Sequence, residues 1–143
     1  MYEDILIPTD GSTGAEQAVA HVLELAETFG ARVHALYVVE PIHAADYRSG
    51  QLVSALRAEG EAATERIAAR GESRGLSVRT AVETGVPHHR ILDYVDEHDI
   101  DLVVMGTHGR TGLDRYLLGS VTEKIVRQSD VPVFTIAVRS HEE

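Results

Sequence analysis

The chain predicts an α/β fold: a single layered domain in which five strands form a mostly parallel sheet and four helices cover its faces. Short apolar runs bounded by turn residues alternate with stretches of helical period, the pattern of βαβ units. The first apolar run, Ile5-Leu6-Ile7, is short and does not alternate with polar residues, as expected for a strand buried on both faces. With 143 residues, 43% of them hydrophobic, the chain has the length of one domain and enough apolar side chains for one core.

The first strand is Ile5-Leu6-Ile7, which ends at Pro8-Thr9-Asp10-Gly11. Ala15, Ala18, Val19, Val22, Leu23 and Ala26 then fall at i, i+3, i+4, i+7 spacing, opened by the capping-box pair Thr13 and Glu16 and closed near Gly30. A second strand reads Val33 to Val39 and stops at Glu40-Pro41. The stretch from about Ala44 to Gly50 is polar and irregular. Leu52, Leu56, Ala63 and Ile67 mark a second helix, weakened by Gly60 and stopped at Gly71 or Gly75. A third strand covers Val78 to Val82. Pro87 suits the first turn of a helix whose buried face is Ile91, Leu92 and Val95. The fourth strand, Leu102 to Met105, runs into a glycine-rich loop. From Gly119 to about Gln128 the pattern is again helical, and Val131 to Val138 is the last apolar strand. No second domain, linker, repeat or low-complexity segment interrupts residues 1–143.

Composition narrows the function. No apolar run reaches the roughly 18 residues of a membrane span, and Met1-Tyr2-Glu3-Asp4 is acidic where a secretory signal is basic, so a cytoplasmic protein is expected. The absence of cysteine removes disulfides, thiolate zinc sites and cysteine nucleophiles. The formal net charge is −10, with 12 arginines and one lysine, Lys124. Such a surface repels phosphate backbones and argues against a nucleic-acid partner. It suits a high-salt cytoplasm, where salt screens self-repulsion, slightly better than the alternative, an ordinary acidic bacterial protein.

In an open parallel sheet, ligands bind at the carboxyl ends of the strands, near the point where strand order reverses. Three features converge there: Asp10 after the first strand, the loop Gly106-Thr107-His108-Gly109-Arg110-Thr111-Gly112 after the fourth, and Gly119-Ser120 at the start of the next helix. Glycines let backbone approach a phosphate, and a helix start offers N–H donors and a favourable dipole. Taken only as spacing, the same glycines serve as turn residues, and Ser120 with Glu123 makes a capping box that needs no ligand. Neither the P-loop pattern nor Gly-x-Gly-x-x-Gly after the first strand is present.

Gly106-x2-Gly109-x9-Gly119-Ser120 resembles the ATP-binding signature of the universal stress protein family. The flanking Asp101 to Arg110 and Gly119 to Lys124, the opening Ile5 to Ser12 and the closing Pro132-Val133 are similar too, so the likeness spans the chain. It implies a Rossmann-like sandwich with strand order 3-2-1-4-5. It implies that Gly109, Gly119, Ser120, Val121 and Thr122 hold the phosphates and ribose of ATP, and that Pro8, Thr9 and Asp10 line the ribose and phosphate edge. Val38 or Val39 would meet the adenine, and Met105 and Gly106 complete the wall. Asp10 is the expected link to Mg2+; its alternative role is a helix cap. Arg110 and His108 are within reach of phosphate, His108 being read as solvated.

The neighbours His88 and His89 are expected to point apart, and His21, His34, His43, His98 and His141 have no ligand spacing, so no further metal site is expected. In the sheet order that the resemblance implies, the last strand, Val131 to Val138, lies at an edge, and this long apolar run is expected to pair with a second copy in a homodimer. Asp10, Arg110 and Arg115 form no recognisable hydrolase pattern. A nucleotide-dependent regulatory module is therefore the leading expectation, beside a slow ATPase or phosphotransferase and a nucleotide-free adaptor.

Overall fold

The computed structural model describes residues 2–41, 49–107 and 119–137. Its elements run β1 (Asp4–Thr9), α1 (Thr13–Phe29), β2 (Arg32–Val39), α2 (Ser49–Glu72), β3 (Val78–Thr84), α3 (Pro87–Glu97), β4 (Leu102–Gly106), α4 (Ser120–Gln128) and β5 (Val133–Ile136). All four strand pairings are parallel, and the sheet order is β3-β2-β1-β4-β5. The five strands, four helices and strand order match the sequence expectation.

Side chains alternate across each strand and build two apolar layers. Ile5, Ile7, Val33, Ala35, Leu102 and Val104 meet α1 and Ile67 of α2 on one face. Leu6, Leu36, Val103 and Met105 meet Ile91, Tyr94 and Val95 of α3 and Ile125 of α4 on the other. The switch in strand order falls between β1 and β4, and Pro8 shapes it. The carbonyl of Glu3 accepts from Arg32 of β2, and that of Asp4 from Asp101 before β4. Even-numbered residues of β1 therefore direct their backbone groups toward β4. Pro8 is the next even position after Leu6 and has no N–H to give. The β1–β4 register accordingly ends at Leu6↔Val103, whereas β1–β2 continues to Thr9↔Tyr37. At the carboxyl edge the two strands share no ladder.

Several local expectations need correction. The N-cap of α1 is Ser12, one residue before Thr13, and its hydroxyl accepts from Ala15 N–H at 3.3 Å. β3 extends past Val82 to Thr84 because seven register pairs with β2 carry it, whatever the polarity of Glu83 and Thr84. The last strand is shorter than Val131 to Val138: β5 opens at Val133, after Pro132, and Val138 lies outside the described residues. Helix α2 runs through both Gly60 and Gly71, and the chain turns at Gly75, whose φ of +80° suits glycine. Gly60 is a contact and not a weak point: a Cβ there would lie 2.6 Å from Cδ1 of the buried Tyr37 on β2. The irregular stretch expected from Ala44 falls largely outside the described residues.

Candidate functional site

The turn after β1 is tied by its own side chains. Thr9 Oγ1 accepts from Gly11 N–H at 3.0 Å, and Asp10 Oδ1 accepts from Ser12 N–H at 2.9 Å. Asp10 is thus an Asx-turn residue two positions before the helix cap, not the cap itself. Its carboxylate is half-buried at the carboxyl edge of the sheet.

On the β4 side, α4 is clamped to the strand end by two bonds. Thr122 Oγ1 donates to the Gly106 carbonyl at 3.0 Å, and Gly119 N–H donates to the Thr107 carbonyl at 2.6 Å. Thr107 N–H donates in turn to Ile136 of β5 at 3.0 Å. The N-cap of α4 is Gly119, which has no side chain to offer, and the first helical bond runs from Glu123 N–H to Gly119 O. Among the described residues, nothing accepts from the N–H groups of Ser120, Val121 and Thr122. These are the open donors that draw an anion to a helix start. The expected Ser120–Glu123 capping box does not form, because Ser120 is already inside the helix and Glu123 pairs with Arg127 at 3.3 Å.

Two expected contacts change character. Thr122 is 5% exposed and its hydroxyl is committed to Gly106, so its side chain positions α4 and only its N–H faces outward from the helix start. Gly119 N–H is likewise committed to Thr107. Of Val38 and Val39, Val38 lies on the α3/α4 face with Met105 and Val121, and Pro8 alternates onto that face with Leu6. Val39 packs on the opposite face against Tyr37 and Ala63, while its carbonyl accepts from Gly85 N–H at 2.9 Å. Pro8 and Thr9 from β1, Asp10 from the turn after it, Met105 and Gly106 from β4, and Ser120, Val121 and Thr122 from α4 are therefore gathered around the β1–β4 switch point. Gly109 and Arg110 lie outside the described residues.

Two arginines without any sequence signal hold the neighbouring strand end. Arg57 of α2 donates to Thr84 Oγ1 at 3.2 Å and to the Val82 carbonyl at 3.4 Å, and Arg90 Nε donates to the Thr84 carbonyl at 3.1 Å. No motif marks them; a helical arginine that secures the end of a distant strand looks in sequence like any solvated cation. The His88 and His89 rings do not point apart but lie 4.1 Å centroid to centroid, and slight desolvation and the charges of His89 and Lys124 hold His88 below its ordinary value. Among the described residues, no cluster of three metal-ligating side chains forms. No helix among the described residues is long and apolar enough to cross a membrane.

Residues 1–137 match the model of the universal stress protein family. Universal stress protein MJ0531 of Methanocaldococcus jannaschii is 36% identical over 140 residues, covering 95% of this chain and 82% of that one. The solved structure of the hypothetical protein MJ0577, from the same organism, superimposes with a TM-score of 0.89 at 32% identity, covering 98% of this chain and 99% of that one. A universal stress protein family protein of Arabidopsis thaliana, solved with AMP bound, shares the fold with a TM-score of 0.75 at 20% identity, covering 98% of this chain and 94% of that one. Family model, relatives and fold agree with the glycine-rich β4–α4 connection and the switch-point geometry: the chain belongs to the universal stress protein family.

Proposed function

We propose that the protein binds ATP at the β1–β4 switch point and acts in the cytoplasm as a nucleotide-dependent regulatory module in the stress response. The observation that carries this reading is the glycine-capped start of α4, whose three amides take no acceptor among the described residues and are held in place by the Thr122 and Gly119 clamps. Phosphates would take the N–H groups of Ser120, Val121 and Thr122, an arrangement that works on an acidic surface because the donors are fixed backbone dipoles. The adenine would lie toward Val38, with Pro8 and Met105 on the same face. Gly109 and Arg110 would complete the phosphate loop, and Asp10 would hold the nucleotide's Mg2+. An Arabidopsis protein of the same fold solved with AMP bound makes an adenine nucleotide the natural class. No group is assigned to catalysis. Denaturing the purified chain and weighing what is released should yield ATP or ADP; a nucleotide-free protein that also takes up no added ATP with magnesium in calorimetry would refute the reading.

The same reading includes a homodimer through β5. This strand is the sheet edge next to β4, and Phe134 on it is 40% exposed. An apolar edge invites two-fold antiparallel pairing with another copy. Light scattering at micromolar concentration should give twice the chain mass, and Phe134→Lys should give one; a monomeric parent would overturn the pairing.

A further inference from the structure

At the amino-terminal edge of the sheet, away from the candidate nucleotide site, three side chains form a hydrogen-bonded chain to α3, buried at His34 and Tyr94 and half-buried at Asp4. Asp4 Oδ1 lies 2.9 Å from His34 Nε2, and His34 Nδ1 lies 2.8 Å from the Tyr94 hydroxyl. His34 and Tyr94 are each 1% exposed. An ionised carboxylate only accepts, so Nε2 carries the imidazole proton; Nδ1 then accepts, and Tyr94 donates to it. In that one protonation state both ring nitrogens of His34 and the buried Tyr94 hydroxyl have partners. We propose that Asp4–His34–Tyr94 is an acid-sensitive latch: uptake of a proton at His34 turns the acceptor for Tyr94 into a donor and releases the carboxyl-terminal part of α3 from the sheet.

The groups around the imidazole favour its neutral form. Burial is the largest influence and holds His34 below the ordinary value of 6.5. His98, whose ring lies 5.9 Å away, and Arg32 on β2 push in the same direction, while the hydrogen bond and charge of Asp4 oppose them. Arg32 also reaches Asp4 Oδ1 at 3.6 Å, dividing that carboxylate's attraction. Arg79 is the register partner of His34 on β3, and Asp101 holds the backbone of Asp4 from the β4 side. On α3 itself, His98 stacks on Tyr94 at 3.7 Å between centroids and closes the helix with its N–H on the Tyr94 carbonyl. A charged His34 would point Nδ1–H at the Tyr94 oxygen and take away the acceptor that the buried hydroxyl proton uses in the docked state.

The sign follows from linkage. The docked state binds the proton more weakly than a state in which α3 has moved away and His34 meets water. Docking is therefore unaffected by pH above about 6.5 and weakens as pH falls below it, until the docked imidazole itself titrates. Within that window each pH unit raises the ratio of released to docked α3 by up to about tenfold.

Hydrogen exchange on the full chain from pH 7.5 to 5, corrected for the intrinsic pH dependence of exchange, reads this directly. Amides at the end of α3, such as His98 and Ile100, should lose up to about tenfold in protection per unit below 6.5 relative to amides in the middle of α1. His34→Gln, which keeps an acceptor for Tyr94 and a donor for Asp4 but cannot charge, should abolish that loss. Should this variant not fold, the ring resonances of His34 in the parent serve instead, and they must titrate below 6.5 in step with the α3 amides. An α3 loss that persists in His34→Gln, one shared equally by α1, or none at all would overturn the latch.

Discussion

Gly119→Val is expected to lose at least about a hundredfold in ATP affinity while the domain stays folded. The backbone permits the change: φ of −63° and ψ of 156° are ordinary for any L-residue. Gly119 donates its own N–H to Thr107, so the loss comes from what an N-cap side chain does to the amides after it. A capping side chain reaches the space before the second and third helical N–H groups, where a serine would bond to them and a phosphate would sit. Valine fills that space and offers no acceptor. Two charge-assisted hydrogen bonds at about 1.5–3 kcal/mol each amount to two orders of magnitude or more, against about 1 kcal/mol of helix stability. Thr122→Val is the companion, because it keeps the shape and removes the 3.0 Å bond to Gly106. With the Gly106 carbonyl left without that donor, about 1–2 kcal/mol of stability and several-fold in affinity should go, and Thr122→Ser should restore both. Calorimetry with circular dichroism on the three variants decides. A folded Gly119→Val protein that binds ATP like the parent would make the glycine signature structural and move the site elsewhere.

What the sequence makes legible is whatever local chemistry controls. Ile5-Leu6-Ile7 and Leu102 to Met105 read as buried strands because nothing polar interrupts them, and Gly30 reads as a helix end because its left-handed conformation favours glycine. The gathering of Asp10, Gly106 and Ser120 at one edge follows from parallel topology alone. Hidden were the features that depend on which atom meets which across the fold. Ser12 and Thr13 are equally good caps in sequence, and only the path of the turn selects Ser12. Val38 and Val39 are interchangeable until the register of β2 assigns them to opposite faces. His34, Tyr94 and His98 lie far apart or one helical turn apart with no metal-like spacing, and only the packing of α3 on β2 makes them a cluster. Pro8 reads as the end of a strand. Its consequence, a missing donor on the side facing β4, requires knowing which neighbour lies on which side.

Gly60 carries the second large expectation, and it runs against helix propensity. Replacing a glycine inside a helix with alanine ordinarily stabilises by about 1 kcal/mol. Here the new Cβ would stand 2.6 Å from Cδ1 and 2.8 Å from Cγ of Tyr37, distances that real side chains do not adopt. Cγ is the root of the ring and moves only by rotation about Cα–Cβ, which would sweep the buried ring into its packed neighbours, or by a shift of β2, whose Tyr37 is paired with Thr9 on one side and Val82 on the other. Overpacking of this kind costs about 1–3 kcal/mol per site and should cancel or exceed the propensity gain, so Gly60→Ala should be neutral to destabilising. Gly60→Val, with two further methyl groups and a poor helix former, should lose about 3 kcal/mol and lower the melting temperature by roughly 10 °C. The test of cause is a double-mutant cycle. Tyr37→Leu alone should destabilise by loss of buried ring, yet combined with Gly60→Ala it should cost less than the two single changes added together, because the alanine then meets a branched aliphatic chain that can rotate away. Thermal melts of the four proteins settle the matter. A Gly60→Ala protein that melts higher than the parent, with strictly additive effects in the cycle, would mean that α2 can shift on the sheet and that this glycine is no more than a weak point in a helix.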